Sequence, residues 1–120
     1  MIRRWRAIIF LFLGGIALSA CHSFHIDADI ENRTGASIRL LEVDYPSASF
    51  GADHLDPGAT LHYRFQVRGS GPLKLSYTAA DGKLIQISGP MLIERQQGQL
   101  QIVLKPEGQA EFHPMLAPPS

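Results

Sequence analysis

From residue 25 onward apolar and polar side chains alternate one by one, and a period of two commits the chain to half-buried β-strands rather than helices. Ile26, Ala28 and Ile30 alternate with Asp27, Asp29 and Glu31, which predicts a first strand ended by a turn over residues 32–35. A second strand follows over residues 38–45, where the adjacent pair Leu40 and Leu41 breaks the alternation and predicts a bulge. Residues 46–59 read as a loop carrying Phe50-Gly51 and a turn at Asp56-Pro57-Gly58. Leu61, Tyr63, Phe65 and Val67, set between His62, Arg64 and Gln66, form the clearest strand of the chain.

Gly69-Ser70-Gly71-Pro72 then turns the chain into Leu73, Leu75 and Tyr77, and Asp81-Gly82 predicts a tight hairpin into residues 84–87. Gly89-Pro90 opens a connection running to Gly98, in which residues 91–97 form at most one turn. Leu100, Ile102 and Leu104 make the next apolar face, and after Pro106-Glu107-Gly108 residues 110–112 form a short last strand. No helical period of 3.6 competes with this pattern. About seven short strands separated by turn signals predict an all-β fold, an antiparallel β-sandwich of the immunoglobulin-like kind without its disulfide. A chain of 120 residues has room for one such core.

The first twenty residues are built differently. Arg3, Arg4 and Arg6 are their only charges, and residues 7–18 then run uncharged to the small residues Ser19 and Ala20. That run fits the apolar segment of a cleaved secretory signal helix and falls short of the roughly 20 residues that span a bilayer. Leu18-Ser19-Ala20-Cys21 resembles the lipobox of bacterial lipoproteins, an aliphatic residue and two small residues before the modified cysteine. The resemblance implies a diacylglycerol on the Cys21 sulfur, cleavage between Ala20 and Cys21, and acylation of the new amino group. Two or three chains are what such anchoring needs, because one acyl chain holds only marginally. It also explains why an exported chain carries a single cysteine, which no internal disulfide can use. In a two-membrane cell an Asp after the lipidated cysteine retains such proteins in the inner membrane; here that place is His22, so the resemblance implies the periplasmic face of the outer membrane.

The expected organisation is therefore a signal peptide over residues 1–20, a tether over 21–24, a sandwich over 25–113 and a proline-rich, polyproline-like tail over 114–120. Four tether residues span at most about 14 Å, at roughly 3.3 to 3.6 Å each, which keeps the domain close to the headgroups. The stretch after Cys21 resembles short bacterial lipoproteins with one immunoglobulin-like domain, through Tyr45-Pro46, Phe50-Gly51, Pro57-Gly58, Gly71-Pro72, Asp81-Gly82 and Gly89-Pro90. Those are turn residues, and the resemblance implies a fold and no activity.

Charge narrows the partners. Without the three leader arginines, eight basic residues face eleven acidic ones, a net charge near −3 that offers nucleic acid no basic face. Candidate chemistry is sparse. His25, Asp27, Asp29 and Glu31 fall on one strand face, a row of hard-metal or acid/base groups whose plainer reading is a solvated surface. Met91 precedes His113-Pro114-Met115 by a spacing that resembles a periplasmic copper(I) chaperone family, and thioether and imidazole suit that metal. That family places a His or Met eleven positions before the first Met, where this chain has Ala80. Ser70 lacks the frame of a nucleophile elbow, and His54 and His62 are bases only if Asp53, Asp56 or Ser49 lie beside them. Asn32-Arg33-Thr34 matches a glycosylation sequon and equally a turn.

These readings lead to a non-enzymatic envelope module with no cofactor beyond the lipid on Cys21, touching membrane lipid and another envelope protein, with a periplasmic copper(I) carrier using Met91, His113 and Met115 as the alternative. A free strand edge or the 46–59 loop is the expected contact surface. Apolar side chains left exposed in residues 46–59 or 91–97, Phe50 above all, would mark such a contact.

Overall fold

The structure is a computed structural model and describes residues 24–117; the lipobox residues Leu18, Ser19, Ala20 and Cys21, the leader before them, and residues 118–120 lie outside the described part. Eight strands follow in order: β1 (Ile26–Asn32), β2 (Ile38–Tyr45), β3 (Ala48–Leu55), β4 (Thr60–Phe65), β5 (Gly71–Thr78), β6 (Leu84–Leu92), β7 (Gln97–Lys105) and β8 (Gln109–Ala117). They form two four-stranded sheets, β4-β1-β7-β8 and β3-β2-β5-β6, packed face to face as a β-sandwich. Every pair is antiparallel except β1 with β7, which run parallel with Ala28 opposite Leu100 and Ile30 opposite Ile102.

Alternation builds the core as expected. Ile26, Ala28 and Ile30 of β1 and Leu100, Ile102 and Leu104 of β7 point inward and are almost wholly buried. Facing them are Leu41 and Val43 of β2 and Leu73, Leu75 and Tyr77 of β5. Each such large aliphatic side chain contributes about 1.5 to 3 kcal/mol when taken out of water. The predicted bulge is present: Leu41 is buried, Leu40 is 64% exposed with a left-handed φ of 53°, and the β2·β5 register slips between Arg39 and Glu42.

Three expectations need correction. Residues 46–59 are not a loop, because a tight turn at Pro46-Ser47 leads into β3, an edge strand paired with β2. Its alternation is hidden in the sequence. Leu40 and Asp53 are the unpaired positions of the β2·β3 ladder, so Phe50 and Leu55, an odd number of residues apart, both turn inward. Phe50 is accordingly buried, and the most exposed aromatic among the described residues is Tyr63 of β4, 43% exposed and stacked on the Phe50 ring at 4.2 Å. Tyr45 and Phe65 complete this aromatic seam, which joins the β3 and β4 edges of the two sheets.

The second correction concerns Gly89-Pro90, which does not open a connection: β6 runs on through Pro90 and Met91 to Leu92. Proline is tolerated there because β6 is an edge strand and its register with β5 slips between Pro72 and Lys74. The third is the last strand. β8 is nine residues long and includes Pro114 and Met115, so residues 114–117 belong to the sheet and not to a tail. It too is an edge strand, where a missing N–H costs no ladder bond.

The strand directions sort the turns to two ends. Residue 25, the 45–48, 65–71 and 92–97 connections and the end of β8 share one end, the tether end. The 32–38, 55–60, 78–84 and 105–109 connections share the other, about 20 Å away along the seven residues of β1 at roughly 3.3 Å each.

Candidate functional site

The far end is organised by one buried amide. Asn32, the last residue of β1, is wholly buried, and its Nδ2 donates to the Leu55 carbonyl at 2.9 Å and the Ala36 carbonyl at 2.8 Å. Its Oδ1 accepts the Thr34 amide at 3.0 Å, closing an Asx turn, while its backbone N–H donates to Ala59 O and its carbonyl accepts Gly58 N–H at 2.7 Å. One side chain thus ties the β1–β2 turn to the β3–β4 turn. A glycan at this amide is incompatible with those bonds, so the sequon is a turn.

Beside this tie lies a cleft of 530 Å³, bounded by the β1–β2, β5–β6 and β7–β8 turns. Its walls include Tyr77, Ala79 and Ile85, and Lys83, Lys105 and Glu107 stand around it. The Asp81-Gly82 hairpin is closed by Ala79 N to Lys83 O at 2.8 Å, with Asp81 Oδ1 accepting Lys83 N. On the opposite side the chain turns sharply at Pro106, with Glu107 and Gly108 both left-handed, and Gly108 lies flat against Ile85. Tyr77 is 2% exposed, and among the described residues its hydroxyl has no hydrogen-bond partner. Burial pushes its phenol above the ordinary tyrosine value. A concave wall with an unsatisfied hydroxyl and a rim of both charges suits a small polar ligand or a side chain of a partner. Thr34, the one aliphatic hydroxyl among the described residues lining the cleft, is engaged with Asn32 at 2.7 Å.

The raised phenol has a testable sign. A tyrosine held neutral by burial contributes stability that is complete below its unfolded value near 10 and is lost as pH rises past it. Tyr77→Phe should therefore retain more of its neutral-pH stability at pH 11 than the parent does, read from urea melts at the two pH values. Tyr45, also raised by burial, leaves part of the alkaline loss in place.

The residues picked from sequence are scattered. Asp27 pairs with Arg64 at 3.2 Å, Asp29 with His62, and Glu31 with Arg33 at 2.9 Å, so the row on β1 is cross-linked to its neighbours and converges on no common point. Among the described residues no three of His, Cys, Asp and Glu form a cation cage. Met91 sits on the outer face of the β3-β2-β5-β6 sheet, whereas His113 and Met115 sit on the outer face of the other sheet, with the core between. His113 is engaged with Glu111 at 3.3 Å, and Lys105 with His113 holds that carboxyl below its ordinary value. The structure does not bring the three together.

His62 meets Asp29 rather than Asp53 or Asp56, and across the sheet its row continues through Gln101 to His113 with no hydroxyl or thiol. His54 lies opposite Arg39, and Ser70 Oγ accepts the Glu94 amide at 3.0 Å. Sequence reading missed Asn32, Tyr77, Lys83 and Lys105 as a group. The Asn-x-Thr turn and the left-handed Pro-Glu-Gly turn were the local signals, but nothing local says that they meet.

No family model matches the chain, and no curated protein matches it. Among solved structures it is similar to one described as "NMR structure of the protein from Eubacterium rectale", with a TM-score of 0.54 and 10% identity, covering 74% of this chain and 86% of that one. At that identity the likeness speaks for the sandwich fold alone.

Proposed function

We propose that this chain is a lipid-anchored envelope protein, cut before Cys21, whose sandwich is a non-enzymatic binding module displaying its far-end cleft to another envelope component. The observation that carries this reading is the separation of the two ends: the chain enters the domain at residue 25, and the cleft opens at the opposite end of β1. An acylated Cys21 fixes the first end at the bilayer and leaves the cleft facing away from it. The engagement of Thr34, the one aliphatic hydroxyl among the described residues lining the cleft, with Asn32 supports binding over catalysis, and the net charge near −3 disfavours nucleic acid. His22, in place of Asp, supports the outer membrane.

Cys21→Ser tests the anchor. The full-length variant should move from the membrane fraction to the soluble periplasmic fraction, and its intact mass should lack the acyl adduct that the parent carries. A variant that fractionates like the parent ends the reading. A stoichiometric partner recovered with the parent from solubilised envelopes and lost on Lys83→Glu would assign the cleft; repeated recovery of the parent alone counts against a binding module.

A further inference from the structure

Among the described residues six large hydrophobic side chains are substantially exposed, and three of them, Met91, Ile93 and Met115, belong to the tether end. Ile93 stands at its tip, 46% exposed, on the turn between β6 and β7. That turn is braced from several sides: Arg95 N donates to Val67 O at 3.0 Å, Glu94 N to Ser70 Oγ at 3.0 Å, and Ile93 N to Gln96 Oε1 at 2.9 Å. Arg68 N donates in turn to Ser47 Oγ at 3.3 Å, so three turns form one platform. Arg95 is held in a left-handed conformation, φ 66°, uncommon for a residue with a side chain, and its guanidinium lies 4.7 Å from the Phe24 ring. An apolar tip on a rigid, strained platform is an arrangement that solvent alone does not favour.

Charge is divided along the same axis. Arg64, Arg68 and Arg95 at the tether end, with Lys74 and Asp44 in register beside them, stand against Asp27 and Glu94, a balance of +1, while the remaining four basic residues after the leader stand against eight acidic ones, a balance of −4. An anionic surface therefore attracts this end and repels the rest of the domain.

We infer that the tether end is a membrane-docking surface, in which Ile93 enters the headgroup layer and Arg68 and Arg95 bind anionic lipid headgroups of the bilayer that holds Cys21. This rests on the anchored reading above. Phe24 is separated from Cys21 by His22 and Ser23 alone, so an acylated Cys21 brings this end within about 14 Å of the headgroups whatever else happens. The platform turns that proximity into a defined contact, and the acidic far end keeps the cleft directed outward. Each arginine near an anionic surface changes partitioning by about fivefold.

The test uses the full chain, processed in its bacterium and reconstituted into phosphatidylethanolamine vesicles with or without phosphatidylglycerol. Processing removes Trp5, the chain's only tryptophan, so Ile93→Trp supplies one reporter at the tip and Leu84→Trp one at the far end, where Leu84 is 61% exposed. Brominated acyl chains should quench the Ile93→Trp protein several-fold more than the Leu84→Trp protein, and only where phosphatidylglycerol is present. Arg68→Glu with Arg95→Glu, both exposed positions, should bring tip quenching down to the far-end level. Equal quenching at the two positions in a protein whose intact mass carries the acyl adduct overturns the docking surface and leaves the anchor standing. Quenching that survives arginine reversal overturns headgroup recognition, since tether length alone would then explain it. Loss of the adduct itself overturns both.

Discussion

Asn32→Asp should lower the thermal midpoint of the domain by about 15 °C at pH 7, a loss of about 3 kcal/mol. The substitution keeps the shape of the side chain and the bond that Oδ1 accepts from the Thr34 amide. It removes the two bonds that Nδ2 donates to Leu55 O and Ala36 O and sets a carboxylate oxygen against both carbonyls in a site with no exposed surface. Unmatched buried acceptors cost about 1 to 3 kcal/mol each, and a domain of this size has only about 5 to 15 kcal/mol to lose. The new carboxyl is disfavoured as an anion by burial and by the two carbonyls, so its folded pKa lies above the ordinary value near 3.9. A raised folded value means that stability is retained below the unfolded value and lost as pH rises through the folded one. The deficit relative to the parent should therefore be small near pH 3.5 and full at neutral pH. Asn32→Ala should show a deficit that does not change with pH in this way. Melts of the three proteins at both pH values check this, and an Asn32→Asp protein that melts within a few degrees of the parent at pH 7 would remove Asn32 from its central place.

Asn32 also marks where the sequence stops being readable. The inward faces of β1, β5 and β7 were plain because those strands are central in their sheets or next to the centre, and one buried face imposes strict alternation. The Asp81-Gly82 hairpin and the Leu40-Leu41 bulge were equally plain, since both are encoded by adjacent residues. Edge strands were harder. β3 buries fully only Phe50 and Leu55, and β6 and β8 carry Pro90 and Pro114, which a single-strand reading takes as stops. The parallel pairing of β1 with β7 joins residues some seventy positions apart and leaves no local trace. The cleft is illegible for the same reason: three turns centred near residues 34, 81 and 107 meet only once both sheets are closed. Asn32 could be recognised as a turn residue from Asn-x-Thr, yet its bond to Leu55 is a property of the assembled sandwich.

Gly51→Ala should destabilise the domain by about 3 kcal/mol, at the upper end of what overpacking costs, and most of the damage should fall on β3. A Cβ at Gly51 would clash with the Leu41 carbonyl oxygen, far inside van der Waals contact, and lie 3.0 Å from the Leu41 carbonyl carbon and 3.2 Å from Glu42 Cα. All three are backbone atoms at the bulge, so no rotamer change relieves the clash. The edge strand has to part from β2 there, and Phe50, next in sequence, is pulled from its place between Tyr45 and Tyr63. Hydrogen exchange should then show protection lost along residues 48–55 and kept along β1 and β7, because the second sheet does not share the bulge. Gly58→Ala separates space from conformation: nothing lies within 4 Å of its Cβ, and only its left-handed φ of 82° opposes a side chain, at a cost of about 1 kcal/mol. Leu40 gives the opposite sign at the same bulge. It holds a left-handed φ of 53° with its side chain mostly in water, and asparagine adopts that conformation more readily, so Leu40→Asn should be neutral or stabilising by up to about 1 kcal/mol. A Gly51→Ala protein that melts with the parent, beside a Leu40→Asn protein that melts well below it, would mean that β2 and β3 do not approach through this bulge.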